Sequence, residues 1–273
     1  MPSLTPTSSL RNVLFVPHGA PTFALNPGAA GAAMSQVAQQ LAPPRAIVVV
    51  SPHWETALPT VGLATQLETI HDFFGFPSPL YDIRYPASGC PEAAREVVSA
   101  LQAHGFEVQT DAQRGLDHGA WIPLRQMFPD ADVPVIPLSV QSHAGPEHAY
   151  RIGQALAGLA QQNFLVIASG NVTHNLRDYM TARMAGGQTP AYVQDFADWV
   201  HQHMLAKDTA ALLSYRQVSA SGLRAHPSED HLLPLFTALG AAGLEAQPQA
   251  FYRGISDYVI AMDGYSFHEA RPI

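Results

Sequence analysis

The sequence predicts an α/β domain with a central mixed, largely parallel sheet flanked by helices. Three observations predict it. Short apolar, β-branched runs alternate with amphipathic helical patterns along the chain, the order that builds layers of helix on sheet. Two of the runs, AIVVV at 46–50 and FLVIA at 164–168, are continuously apolar, as strands covered on both faces are. Four histidines stand just past such runs or turns, in short turn-rich peptides, and open α/β sheets bind ligands beyond the carboxyl ends of their strands.

Taken in order, 13–16 reads as a short buried strand stopped by Pro17, and 46–50 as the clearest strand. The stretch 63–89 is rich in aromatics, Pro and Gly and reads as a long excursion of the kind that carries function. Residues 91–104 form an amphipathic helix with Pro91 at its start and Gly105 at its end. Residues 133–140 are a strand whose Pro134 and Pro137 point to an edge position or irregular pairing. A helix over 147–162 carries Leu156 and Leu159 on one face, and 164–168 is the next strand. A helix over 192–205 brings Phe196, Trp199 and Val200 together. A last helix over 231–242 requires Pro234 in its first turn, and a final strand is expected at 258–262. There is no repeat and no linker, so 1–273 reads as one domain, with 1–11 as a flexible N-terminus.

Composition bounds the function. The chain has 273 residues, 47% of them hydrophobic, enough for a large core. Only 13% are charged, and the net charge of -8 argues against nucleic-acid binding. The single cysteine, Cys90, excludes an internal disulfide. It opens a helix with no activating base nearby in sequence, and reads as a small half-buried residue rather than a nucleophile. The N-terminal MPSLTPTSSLRN lacks the apolar region of a signal peptide, and no run approaches the ~20 residues of a membrane helix. A cytoplasmic location is expected. No G-x-G-x-x-G follows the first strand and no G-x-S-x-G occurs, which disfavours a pyridine-nucleotide enzyme and a serine hydrolase.

The four histidines are His18 in FVPHGAP, His53 in VVVSPHWE, His174 in ASGNVTHNL and His231 in HPSEDHLLPL. Neutral imidazole is the commonest metal ligand, and strand-end peptides with neighbouring Gly and Pro allow the close approach that a metal needs. None of them forms a short metal motif such as H-E-x-x-H. With 13 histidines in the chain, many are ordinary surface groups; His104, His143, His148, His201, His203 and His268 are read so. From the residues alone, a metal site and a coincidence of ordinary histidines both stay open.

PHGAP, SPHWE, TIHDFFGFP, LYDIRYPASG, LDHGAW, ASGNVTHNL and EDHLLPL occur in this order. The series resembles the class III extradiol ring-cleavage dioxygenases of the LigB superfamily, and most closely the 4,5-DOPA dioxygenase-like branch. The resemblance runs from about 13 to about 235, and of its motifs ASGNVTHNL and TIHDFFGFP are the most specific. It implies a LigB-like fold and a metal-dependent enzyme that inserts both atoms of dioxygen into a catechol, DOPA-like substrate. It also implies His18, His53 and His231 as metal ligands. His174 corresponds to the acid/base histidine of the superfamily, and in this branch also stands close enough to be described as a fourth ligand. His118 resembles a second catalytic histidine that polarises substrate or oxygen. Iron(II) is implied for activity, with zinc as an alternative occupant.

The substrate is expected to meet His71, Tyr81 and His226. For His71 a structural hydrogen bond is equally open, and for His226 a surface position is preferred. Phe73 and Phe74 are read either as an apolar wall or as satellite packing, and Trp54 as packing. A charged substituent on the catechol would call for a partner such as Arg177 or Asp178, whose directions are unread. The chain departs from the resemblance at HPSEDHLLPL, where Glu229 replaces a proline and Asp230 precedes His231, so the start of that helix is in question. A zinc-dependent hydrolase and a non-catalytic metal-binding member of the superfamily remain the alternatives. The expected partners are a small catechol and dioxygen, without nucleic acid or membrane; the oligomeric state is unread.

Overall fold

The computed structural model describes residues 10–269. The apolar runs fold as read, each extended by a few residues. They become β1 (Leu10–Pro17), β2 (Ala46–Glu55), β3 (Thr60–Gly62), β4 (Gln109–Asp111), β5 (Val135–Val140), β6 (Phe164–Gly170), β7 (Gln247–Tyr252), β8 (Ile255–Ser256), β9 (Ile260–Ala261) and β10 (Gly264–His268). Eight of them form one sheet in the order β4-β3-β5-β2-β6-β1-β10-β7, and β8 and β9 form a separate two-stranded ribbon. The central strands β5, β2, β6 and β1 are mutually parallel, whereas β3 joins β5, and β10 joins β1 and β7, antiparallel. The sheet is therefore mixed and largely parallel at its centre.

Every residue of β5 and β6 is buried, and so are the first seven of β2. Successive side chains point to opposite faces, so complete burial means that both faces are covered. Helices Gly145–Gln161 and Leu233–Ala242 pack on each other and against β6 and β1; helix His118–Met127 lies against β2 and β6 and carries helix Gly28–Ala38. The connections between parallel strands deliver their helices to these layers.

Four sequence readings are resolved or revised, the first in favour of irregular pairing over an edge position. The strand with Pro137 lies inside the sheet, between β3 and β2. Pro137 faces β3, where pairing is confined to Val61 opposite Leu138, so its missing N–H interrupts few ladder bonds. A Cβ on Gly62 would stand 2.8 Å from the Pro137 ring, so only glycine lets β3 come this close. The strand expected at 258–262 shrinks to Ile260–Ala261 in the small ribbon, and the outer strands are β10 and β7. The Gln247–Tyr252 sequence, QPQAFY, has no apolar run and holds a proline, as an edge strand tolerates. At the N-terminus, Leu10 and Arg11 already belong to β1, and Arg11 donates to the Ala242 carbonyl at 2.7 Å; the remainder of the expected flexible segment lies outside the described residues. The last long helix starts at Leu233, with Pro234 in its first turn as required and His231 just ahead of it.

The register sets up the site. Pro17 at the end of β1 pairs with Gly170 at the end of β6, so His18 and Asn171 leave the sheet side by side, and the His18 N–H donates to the Gly170 carbonyl. The two-stranded ribbon and the 63–89 excursion both return to this carboxyl edge: Val172 donates to the Ala261 carbonyl and Ile70 to that of Leu116.

Candidate metal centre

Five histidines converge at the carboxyl ends of β1, β2 and β6, with His53 still inside β2 itself. Ligand atoms of His18, His53 and His118 lie within 4.8 Å of one another, the one such group among the described residues. His231 stands beside them, its ring centroid 5.2 Å from that of His18 and 4.9 Å from that of His53. His174 stacks on His231 at 3.5 Å with an interplanar angle of 5°.

Each ring is oriented by a neighbour. The Ser169 hydroxyl donates its one proton to the Gly119 carbonyl. It therefore accepts at 3.1 Å from His18 Nδ1, which must carry the hydrogen. His18 Nε2 is left as a lone pair, directed at His53 Nε2, 3.3 Å away. The Asn171 amide fixes the same corner, accepting from Gly19 N–H and placing its NH2 3.2 Å from His18 Nε2. His231 donates Nδ1–H to Asp230 at 2.6 Å. Its Nε2 is then a bare lone pair, buried and, unlike that of His18, without a hydrogen-bond partner. A buried acceptor left unpaired is costly, and a cation held by a carboxylate-backed imidazole is the standard remedy. The cluster of neutral imidazoles, His18, His53 and His118 with His231 beside them, could bind a divalent transition metal.

Asp72 is the centre of a second network. It comes from TIHDFFGFP in the long excursion. One oxygen accepts from His118 N–H and the other from His118 Nδ1, both at 2.9 Å, and the second oxygen lies 3.5 Å from His53 Nδ1. His118 opens helix His118–Met127, whose first N–H groups have no partner within the helix. Asp72 takes one of them, and the N-cap Asp117 takes that of Ala120 at 3.1 Å. Burial alone would raise the Asp72 carboxyl, but the hydrogen bonds from the His118 ring and backbone outweigh it and hold it at about 2. With Nδ1–H directed at Asp72, the His118 Nε2 is the free atom facing the cavity.

Burial keeps His18, His53, His174 and His231 neutral. Desolvation, reinforced by neighbouring imidazoles, depresses His18 and His231 well below the ordinary value. Desolvation and His118 bring His53 to about 3 against the opposing pull of Asp72, and desolvation brings His174 to about 4. Neutral rings are what metal binding and proton acceptance both require.

Close packing against β2 is set at Gly119. A Cβ there would stand 2.5 Å from Ser51 Oγ and 2.8 Å from His53 Cδ2. Gly119→Ala is expected to destabilise by about 1–3 kcal/mol through overpacking and to weaken metal binding by tilting His53; paired melting curves and metal titrations check this.

A cavity of about 440 Å³ opens over the histidines, lined by His18, His53, His118, His174 and His231 on its floor. Its size suits a small aromatic molecule. Phe73, Phe76, Leu176 and Tyr179 are in its walls. The three sequence-chosen substrate residues do not line it. His71 lies within hydrogen-bond reach of the Ile83 carbonyl at 3.1 Å, the structural alternative. Tyr81 packs behind Phe73 at 5.3 Å, and Phe74 is 91% exposed. His226 is fully buried, not a surface residue; it donates Nε2–H to the Val172 carbonyl at 2.7 Å, and its Nδ1 has no partner. Of the residues considered for a charged substituent, Asp178 is bonded to Arg224 at 2.9 Å and Arg177 is exposed; neither lines the cavity.

The His226 arrangement has a pH consequence. Burial holds its pKa at about 4 against 6.5 for a free imidazole, because a second N–H would have no acceptor. Between those values the unfolded chain takes up a proton that the folded chain refuses, so stability falls as pH drops from 6.5 towards 4. The loss from this one group is about 3 kcal/mol at most. Melting of chelator-treated protein across pH 7 to 4 is expected to show a shallower decline in His226→Gln than in the parent.

Sequence reading missed Asp72, Ser169, Asn171 and the anchoring role of Asp230. All four lie inside the motifs TIHDFFGFP, ASGNVTHNL and EDHLLPL, but nothing in a linear string shows which histidine each one meets.

Fold and site together define an α/β protein with a nitrogen-rich, metal-ready centre beneath an aromatic-sized cavity. Residues 28–260 match the family model described as the catalytic LigB subunit of aromatic ring-opening dioxygenase, and the chain belongs to that family. It is 35% identical over 263 residues to a protein of Beta vulgaris named 4,5-DOPA dioxygenase extradiol, covering 95% of this chain and 97% of the relative. A protein of the same name from Escherichia coli K12 is also 35% identical, with 86% of each covered. In structure, an uncharacterized Escherichia coli K12 protein superposes with a TM-score of 0.76 at 28% identity, over 93% of this chain and 98% of that one. No helix among the described residues is long and apolar enough to cross a membrane.

Proposed function

We propose that this protein is an extradiol dioxygenase that opens the ring of a catechol, with His18, His53 and His231 holding the metal and His118 and His174 handling protons. The observation that carries the reading is the buried, unpartnered Nε2 of His231, whose ring centroid lies 5.2 Å from that of His18 at the floor of an open cavity. Iron(II) in this pocket would supply electron passage from the catecholate to dioxygen, whereas zinc fits the same donors but has no redox chemistry.

The protein's own groups supply the rest. His118 is the better-defined base: Asp72 fixes its tautomer and leaves Nε2 free to take a hydroxyl proton from the bound catechol, the arrangement in which a third group orients a general base. His174, neutral and lining the cavity, serves as the second proton carrier. Its stacking on His231 supports that role over ligation, because ligand lone pairs lie in the ring plane and two parallel rings 3.5 Å apart do not aim at one point. Phe73 and Phe76 provide the apolar wall for the ring and limit water at the floor.

The test is oxygen uptake with an absorbance scan after anaerobic reconstitution with iron(II), on a catechol panel that includes DOPA. Oxygen loss with a new yellow absorbance is expected, absent from zinc-loaded protein and from His174→Ala. Bound iron without uptake on any catechol would sink the reading.

A further inference from the structure

The wall of the cavity away from the histidines carries an uneven charge. Its outer residues are Pro21, Phe73, Phe76, Leu176, Tyr179 and Ile260, with Asp257 among them. Among the described residues no Lys or Arg lines it, and the chain as a whole has a net charge of -8. Asp257 accepts from the Ser256 hydroxyl at 2.7 Å and has no ion-pair partner among the described residues. Arg183 does not line this cavity but a second depression, which shares Tyr179 and Asp257 with it. Asp257 and Tyr258 both hold left-handed backbone, at φ 48° and 64°. That conformation is uncommon for residues other than glycine, so this turn of the wall is held by its surroundings. Tyr258 is fixed by stacking on Tyr179, ring centroids 6.2 Å apart.

We propose that this cavity selects catechols by the charge of their ring substituent, taking an amine-bearing catechol best and rejecting a carboxylate-terminated one, with Asp257 receiving the ammonium group. The proposal rests on the catechol-binding reading above. A carboxylate brought into this wall would be desolvated with no cation to meet it, next to a carboxylate already there. An ammonium group finds Asp257, and an uncharged alkyl group finds the aromatic wall. An amino-acid substituent carries both charges and falls between.

The experiment is anaerobic titration calorimetry of the zinc-loaded full chain with dopamine, methylcatechol and dihydrocaffeate, paired with turnover of the same compounds by the iron-loaded chain. Dopamine is expected to bind about tenfold more tightly than dihydrocaffeate, given an unpaired carboxylate in the latter. Asp257→Asn is expected to lower the affinity ratio of dopamine to methylcatechol about fivefold, the upper range for a partly exposed ion pair. Asparagine tolerates left-handed backbone, so the turn survives the change. Dihydrocaffeate binding as tightly as dopamine would overturn the proposal while leaving the ring-cleavage reading intact; so would a dihydrocaffeate preference that disappears in Arg183→Ala. An unchanged ratio in Asp257→Asn would overturn the assignment of Asp257. Asp257-dependent dopamine binding without turnover would uphold the proposal and remove the dioxygenase reading. No binding of any catechol would end both.

Discussion

His231→Ala is expected to abolish stoichiometric metal binding, weakening affinity by more than the roughly 10–100-fold that loss of a supporting residue behind a ligand costs. The reason lies in the environment of its Nε2. Asp230 takes the Nδ1 proton, burial excludes water, and no protein donor reaches the remaining lone pair. His118 is the rival third ligand, since its ring nitrogen falls within 4.8 Å of ligand atoms of His18 and His53. The two roles separate cleanly by experiment. Metal content and affinity, measured by elemental analysis and competition with a chelator, are expected to collapse in His231→Ala. In His118→Ala they are expected to stay within about tenfold, while turnover falls by about 10²–10⁴, the usual contribution of a general base. The reverse pattern would assign His118 as ligand and leave His231 as its buried neighbour. Circular dichroism of both variants distinguishes a lost ligand from a lost fold.

Asp72→Ala is expected to have the second largest effect, although the residue need not touch substrate. Its two oxygens do different work. One closes the first turn of helix His118–Met127 by accepting the His118 N–H; the other fixes the His118 ring and faces His53. Removing the side chain frees both. Turnover is expected to fall about 100-fold and metal affinity about tenfold, in line with the loss of residues that orient ligands. Stability should drop by about 1 kcal/mol through the vacated helix terminus. Asp72→Asn separates the two functions. Its amide oxygen still accepts from the backbone, so the melting temperature should recover towards that of the parent. The negative charge behind the His118 ring is gone, so turnover should stay low. Equal recovery of stability and turnover in Asp72→Asn would show that Asp72 matters only for the helix. A pH–rate profile of parent and variant offers an independent readout, because a merely structural role would leave its limbs in place.

How much of this was legible in the sequence varies with how local the cause is. The runs AIVVV and FLVIA read directly as β2 and β6, because continuous apolar β-branched sequence has few other uses in a chain of this kind. The helices at 91–104, 147–162 and 192–205 were placed to within about two residues by apolar spacing and by proline and glycine at their ends. Helix His118–Met127 was missed, since its Gly119 and Pro123 break the helical signal. Its stability comes from Asp117 and Asp72 at one end and from burial along its length. The edge strand β7 was missed because an edge strand needs no apolar run, and β10, paired on both sides, because GYSFH mixes small, polar and aromatic residues.

For the site, the sequence by itself determined which peptides come together: the histidines of PHGAP, SPHWE, LDHGAW, ASGNVTHNL and EDHLLPL all reached the floor of one cavity. It did so because turns at strand ends need particular residues in particular order, and that order is written locally. Only the tertiary structure decided which residue supports which. Ser169 meets His18 across 151 positions and Asp72 meets His118 across 46. Such pairings follow from sheet register and from the path of the long excursion, neither of which leaves a periodic trace in the chain. The same holds for the cavity wall: Asp257 and Tyr179 are 78 residues apart by their numbers and share one cavity, while His71, Tyr81 and His226, the residues expected to meet substrate, do not line it.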